Sequence, residues 1–144
     1  SAMSRALHMA IRVGDIRGAM DALARKQVDL NSFDETGRAP LHLACGDASM
    51  LPVVEALLIG KADPNLQNAH GVTPLHRAAR GGYEAIAHAL LAMGADVNAL
   101  NRRGESPLAW AKTDAMRGFL MASKKDADAD VATKDGGDGD GDGD

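Results

Sequence analysis

Apolar residues along this chain fall in short stripes, each about the length of one helix, with polar and glycine punctuation between them. Ile86, Ala89, Leu90 and Met93 sit at i, i+3, i+4 and i+7, which is one face of a helix. Ile16, Ala19, Met20 and Leu23 repeat that spacing earlier, and Met116, Phe119 and Leu120 echo it later. Gly94 stands just past the Ile86 stripe, where a left-handed C-terminal cap is expected. A shorter helix is predicted ahead of it over Pro74–Arg80. The Thr73 hydroxyl can accept an N–H of the first turn, Pro74 fits the first helical position, and Gly81-Gly82 allows the reversal. His88 falls on the solvent side of the outer helix. Asp96-Val97-Asn98 begins an extended segment.

This unit recurs. Gly37, Gly71 and Gly104 are separated by 34 and 33 residues. They open the phrases Gly37-Arg-Ala-Pro-Leu-His42, Gly71-Val-Thr-Pro-Leu-His76 and Gly104-Glu-Ser-Pro-Leu-Ala109. A period near 33 marks a stacked solenoid. Thr73-Pro74-Leu75-His76, Gly82 and Gly94-Ala95-Asp96-Val97-Asn98, with the linkers Asp29-Leu30-Asn31 and Asp63-Pro64-Asn65, resemble the ankyrin repeat over about residues 4–122. The resemblance implies an all-α solenoid of helix–turn–helix units joined by β-hairpin-like loops. It also implies a protein-binding role without catalysis.

The expected units are about 4–34, 35–68, 69–101 and 102–123. Residues 1–3 read as a cloning remnant and start, and 124–144 as a disordered Asp/Gly-rich tail. The first unit begins directly with a helix at Ser4, and its second helix runs about one residue long, as expected of an N-terminal cap. In the second, Ala39 replaces the capping Thr, at an expected cost of about 1 kcal/mol. Its turn Gly46–Leu51 holds an extra residue, Pro52 opens the next helix, and Lys61 takes the place of a capping glycine. In the fourth, the inner helix is expected to run into Lys112-Thr113-Asp114 without a glycine turn. Met116, Phe119 and Leu120 should pack back on the third unit, with Arg117, Lys124 and Lys125 in water. The stack is expected to be complete at four units.

Composition adds limits. Apolar residues make up 45% of the 144 and aromatics 3%, which suits closely packed helices. No apolar run approaches a membrane span and no secretory signal is visible, so a cytoplasmic or nuclear protein is expected; it is also expected to be monomeric. A lone Cys45 fits a reducing compartment. Residues 1–125 carry 15 Lys/Arg and 12 Asp/Glu, whereas residues 126–144 carry one Lys and eight Asp.

Candidate chemistry is sparse. His8, His42 and His76 take equivalent places in successive units. A metal needs ligands converging within about 2 Å, but stacked helices lie about 8–10 Å apart, so these histidines read as structural. The resemblance implies hydrogen bonds tying turns and units together. Cys45 aligns with Ala79 and reads as a small buried hydrophobe. The Asp-Gly tail lacks the bidentate Glu of a calcium loop. No catalytic set, phosphate loop, cofactor or metal site is expected. The resemblance implies that Asn31, Asn65 or Asn98 could be hydroxylated in a suitable organism.

In the ankyrin family, hairpin tips and the exposed side of the inner helices bind partners. Carried onto this chain, these are Arg12; Glu35, Thr36, Arg38 and Asp47; His70, Val72 and Arg80; and Arg102, Arg103 and Glu105, with Arg77 reaching the same groove. Arginine predominates, and its planar fork pairs with carboxylates. The expected partner is a protein or peptide, acidic or mixed in charge, with Arg80, Arg102 and Arg103 acting together. An acidic tail that folds onto the arginine face is the alternative. Nucleic acid fits poorly with a body charge of +3 and few aromatics.

Overall fold

The computed structural model describes residues 2–25 and 28–129 in full, and 130–143 by backbone alone. Eight α-helices follow one another among the described residues: α1 Ala2–Arg12, α2 Ile16–Leu23, α3 Pro40–Ala44, α4 Leu51–Ile59, α5 Pro74–Gly81, α6 Glu84–Ala92, α7 Pro107–Trp110 and α8 Asp114–Gly143. They pair as α1 with α2, α3 with α4, α5 with α6 and α7 with α8. The inner helices α1, α3, α5 and α7 contact one another in order, and α2, α4 and α6 form the outer row. One continuous apolar core runs through the stack. It includes Leu7, Leu41 and Leu75 from the inner helices, Leu57 and Leu90 from the outer ones, and Leu120 from α8.

The buried stripe on the outer helices differs from the one the spacing suggests. Ile86, Ala87 and Leu90 are buried, Ala89 is half-buried and Met93 is exposed. In α4, Val53, Val54 and Leu57 occupy the equivalent positions and are buried. Each outer helix touches both its own inner helix and its outer neighbour. The covered face is therefore rotated towards Ala87, by roughly half a residue, from the i, i+3, i+4, i+7 line.

Local chemistry sets the helix ends. Thr73 Oγ1 accepts the His76 N–H, and His76 Nδ1 accepts the Thr73 N–H at 3.1 Å. Gly82 then closes α5 in the left-handed region at φ 74°. Ala39 offers no side-chain cap, and α3 spans only five residues where α5 spans eight. The extra residue after α3 is taken up by a 3-10 turn, Ala48–Met50, capped by Asp47. Lys61 adopts φ 80°, a conformation costly for a side chain with a Cβ, while Gly60 stays at φ −77°. The neighbouring glycine therefore does not relieve Lys61.

One expectation near the C-terminus is corrected. α7 stops at Trp110 because Ala111 turns to extended backbone. Thr113 then caps α8, its Oγ1 accepting the Met116 N–H at 3.1 Å. Arg117 is exposed, yet it also donates to the Ala111 carbonyl at 3.0 Å and pairs with Asp114. α8 continues past residue 123: Ala127 packs on the core, and Lys124 Nζ lies 3.6 Å from Asp128. Asn98 Nδ2 also donates to Asp128 at 3.2 Å. The rest of the expected tail, 130–144, lies outside the fully described residues.

Candidate partner-binding groove

Three hairpin loops share one construction. Asp34, Asn68 and Asn101 each stand three residues before a tip glycine. Each Oδ1 accepts two backbone N–H groups, two and four residues on, at 2.8 to 3.0 Å. Gly37, Gly71 and Gly104 turn the tips at φ 79°, 75° and 75°, where a Cβ would be strained. The glycines are legible in the sequence and the brackets are not. The signal is an Asx residue at a constant offset, obscured by the change from Asp to Asn.

Histidines hold one loop against the next helix. His42 Nδ1 faces the Ala39 N–H, which leaves the proton on Nε2, and Nε2–H donates to the Val72 carbonyl at 2.8 Å. His76 repeats this with the Glu105 carbonyl at 2.8 Å. His8 contacts the Ser4 and Ser32 carbonyls at 2.6 and 3.1 Å. Burial lowers the pKa of His42 and His76, outweighing the carbonyl contacts that would raise it. Cys45 is fully buried, and burial pushes its thiol far above the usual range.

The loops and inner helices enclose a groove of about 450 Å³ over the second and third units. Arg38, Arg77 and Arg80 line it, with Thr36, His70 and Val72. Tyr83 and Trp110 form walls that sequence reasoning did not anticipate. Tyr83 lies just past the reversal that ends α5, and Trp110 is the last residue of α7. The Arg80 guanidinium carbon lies 5.6 Å from the Trp110 ring centroid, and the ring edge meets His76 with centroids 5.3 Å apart. Arg77 crosses to the preceding unit, where a Cβ on Gly46 would meet its NH2 at 2.5 Å. Gly46 leaves room for that guanidinium, and Tyr83 Oη donates to the Gly46 carbonyl at 3.5 Å. Burial lowers the Arg77 pKa, and the charges of Arg38 and Arg80 add to the effect. None of these three arginines makes an ion pair among the described residues.

The other candidate residues lie apart from this groove or are engaged internally. Arg12 bridges Asp34 at 3.0 Å and Glu35 at 2.7 Å, beside a separate hollow of about 510 Å³. The Asp34 side chain is only 2% exposed. Burial works to raise its pKa, but hydrogen bonds from Thr36, Arg38 and Arg12 outweigh it and hold the carboxyl well below its ordinary value. Thr36 Oγ1 donates to Asp34 at 2.6 Å. Asp47 accepts from the Ser49 N–H and hydroxyl, at 3.0 and 2.8 Å, outside the groove lining. Val72 is 7% exposed and forms groove wall more than contact surface.

Arg80, Arg102 and Arg103 do not come together in one pocket. Arg102 donates to Ala69 O at 3.1 Å and lines a different hollow with Gln67 and Leu100. Arg103 is exposed at its tip. The Glu105 carboxylate accepts from Asn101 at 2.9 Å and Trp110 Nε1 at 3.1 Å, bonds that lower its pKa. Asn31 and Asn65, candidate modification positions, link neighbouring linkers: their Oδ1 atoms accept the Asp63 and Asp96 N–H at 2.9 and 2.7 Å. No helix among the described residues is long and apolar enough to cross a membrane.

A family model described as ankyrin repeats, in three copies, matches residues 46–135. The chain belongs to the ankyrin-repeat family. It is 35% identical over 97 residues to mouse protein phosphatase 1 regulatory subunit 27, covering 67% of this chain and 62% of that protein. It is 37% identical over 107 residues to neurogenic locus notch homolog protein 1 of Xenopus tropicalis, covering 74% of this chain and 4% of that one. It is 31% identical over 121 residues to the putative E3 ubiquitin-protein ligase XBAT35 of Arabidopsis thaliana, covering 83% and 26% respectively. The chain thus spans less than two thirds of these relatives' lengths. Ankyrin repeats generally mediate protein–protein interaction, and the family is typically non-catalytic.

Proposed function

We propose that this chain is a non-catalytic interaction module that holds an anionic segment of a partner protein in the groove over the second and third units. The observation that carries this reading is the set Arg38, Arg77 and Arg80, which converge on one groove without a carboxylate among the described residues to neutralise them. Like charges held together cost free energy, and a bound anion removes that cost while gaining charge-assisted hydrogen bonds. The aromatic walls add contact area at low entropic cost. The regulatory subunit among the relatives is consistent with a protein partner.

The test is charge reversal. A protein carrying Arg38→Glu and Arg80→Glu should keep its helical circular dichroism and unfolding midpoint, because both side chains are exposed. Its binding to the partner isolated with the wild-type chain should be lost. Unchanged binding by the double variant would place the contact elsewhere.

A further inference from the structure

Three guanidinium groups exceed what one carboxylate can neutralise. A phosphate monoester carries a charge of about −1.5 to −2 at neutral pH and three acceptor oxygens, and arginine pairs with it through two parallel N–H···O bonds. The three arginines approach from two elements: Arg38 from the loop bracketed by Asp34, and Arg77 and Arg80 from α5. Two features fix where the guanidinium groups sit. Gly46 leaves the space that Arg77 NH2 occupies. Trp110 holds Arg80 against its ring. Such preorganisation reduces the ordering cost of binding.

The acidic groups nearest the groove are otherwise committed. Glu35 pairs with Arg12, Asp47 caps the 3-10 turn, and Glu105 accepts from Asn101 and Trp110. We infer that the groove is a subsite for a phosphate monoester carried on a side chain of the partner protein, held by Arg38, Arg77 and Arg80. This inference rests on the protein-binding reading above and specifies the anion.

Trp110 is the chain's one tryptophan and lies in the groove wall, so its fluorescence reports on this site. The full chain is titrated with phenyl phosphate, phenyl sulfate and benzoate, which share a ring and differ in the anion. Phenyl phosphate should saturate the Trp110 signal with a Kd at least about tenfold below the other two. Arg77→Met should raise that Kd about ten- to hundredfold. Gly46→Ala should raise it several-fold, because the added methyl displaces only the flexible end of Arg77, and should leave the unfolding midpoint unchanged. Arg38→Gln provides a second, exposed position should Arg77→Met fail to fold.

Two further ligands identify the source of the phosphate. Short peptides containing phosphoserine or phosphotyrosine should bind at least as tightly as phenyl phosphate, and a nucleoside monophosphate more weakly. Equal binding of the three small anions, or no effect of the substitutions, would overturn the phosphate assignment. A nucleotide that binds tighter than either peptide would overturn the assignment to a protein side chain. Loss of partner binding in the charge-reversed protein together with no phosphate preference would leave the interaction reading intact and remove this one.

Discussion

Replacing Asp34 by Ala and by Asn separates two jobs of one carboxylate. Its Oδ1 accepts the Thr36 N–H, the Thr36 hydroxyl and the Arg38 N–H at 2.8, 2.6 and 3.0 Å, and its Oδ2 faces Arg12 at 3.0 Å. Alanine removes every one of these bonds and leaves two loop N–H groups to water or to nothing. At about 0.5–1.5 kcal/mol net for each of the four bonds, the loss should total about 2–6 kcal/mol in urea unfolding at pH 7. Asparagine is what the other two loops already carry, at Asn68 and Asn101, with the same two backbone bonds. Asp34→Asn should therefore lose only a small part of the alanine effect, namely the charge shared with Arg12. The carboxyl titrates below its ordinary value in the folded protein, so its contribution is complete above about pH 4 and is lost as pH falls further. The gap between wild type and Asp34→Ala should accordingly narrow below about pH 4. If Asn costs as much as Ala, the loop bracket is not what stabilises these hairpins.

Three more outcomes follow from the same structure. Lys61→Gly should raise stability by about 1 kcal/mol in urea unfolding, because Lys61 sits at φ 80°, where its Cβ is strained, although glycine's greater unfolded-state entropy offsets part of the gain. Ala39→Thr should restore the missing cap and stabilise by about 1 kcal/mol, since Thr73 shows that the equivalent site accepts a threonine; a destabilised variant would mean that the second unit lacks that space. His42 and His76 titrate below their ordinary value when folded, so the unfolded chain takes up protons first and stability should fall as pH drops below about 6.5. Unfolding midpoints that stay flat from pH 7.5 to 5.5 would contradict that.

Residues that repeat made the stack legible in the sequence. Thr73 and Pro74 announce a helix start through local chemistry, and Gly82 and Gly94 announce reversals because φ of 74° and 99° suits glycine. Lys61 was identifiable as a departure, but its left-handed backbone follows from the closure of the helix around it. The groove was only partly legible. Position along the repeat points to Arg38, Arg77 and Arg80, but it also groups Arg102 and Arg103 with Arg80, whereas Arg102 lines a different hollow and Arg103 is absent from the groove lining. Trp110 stands at the groove as the last residue of α7, a position that depends on Ala111 leaving the helix. Gly46 has no positive φ and looks like an ordinary turn residue; its role depends on an arginine 31 positions away.

The surface that competes with the groove is the outer row, where Ile59 is 75% and Met93 50% exposed beside a hollow lined by Leu51, Leu58 and Ala89. Site-resolved photo-crosslinking decides between the two. A photoreactive amino acid is placed at His70 or Thr36 on the groove, and at Ile59 or Met93 on the outer row, in the full chain mixed with extract from its source cells. Crosslinks to one protein from the groove positions, abolished by Arg38→Glu with Arg80→Glu, are the predicted result. Crosslinks to that protein from Ile59 and Met93 alone would contradict the account.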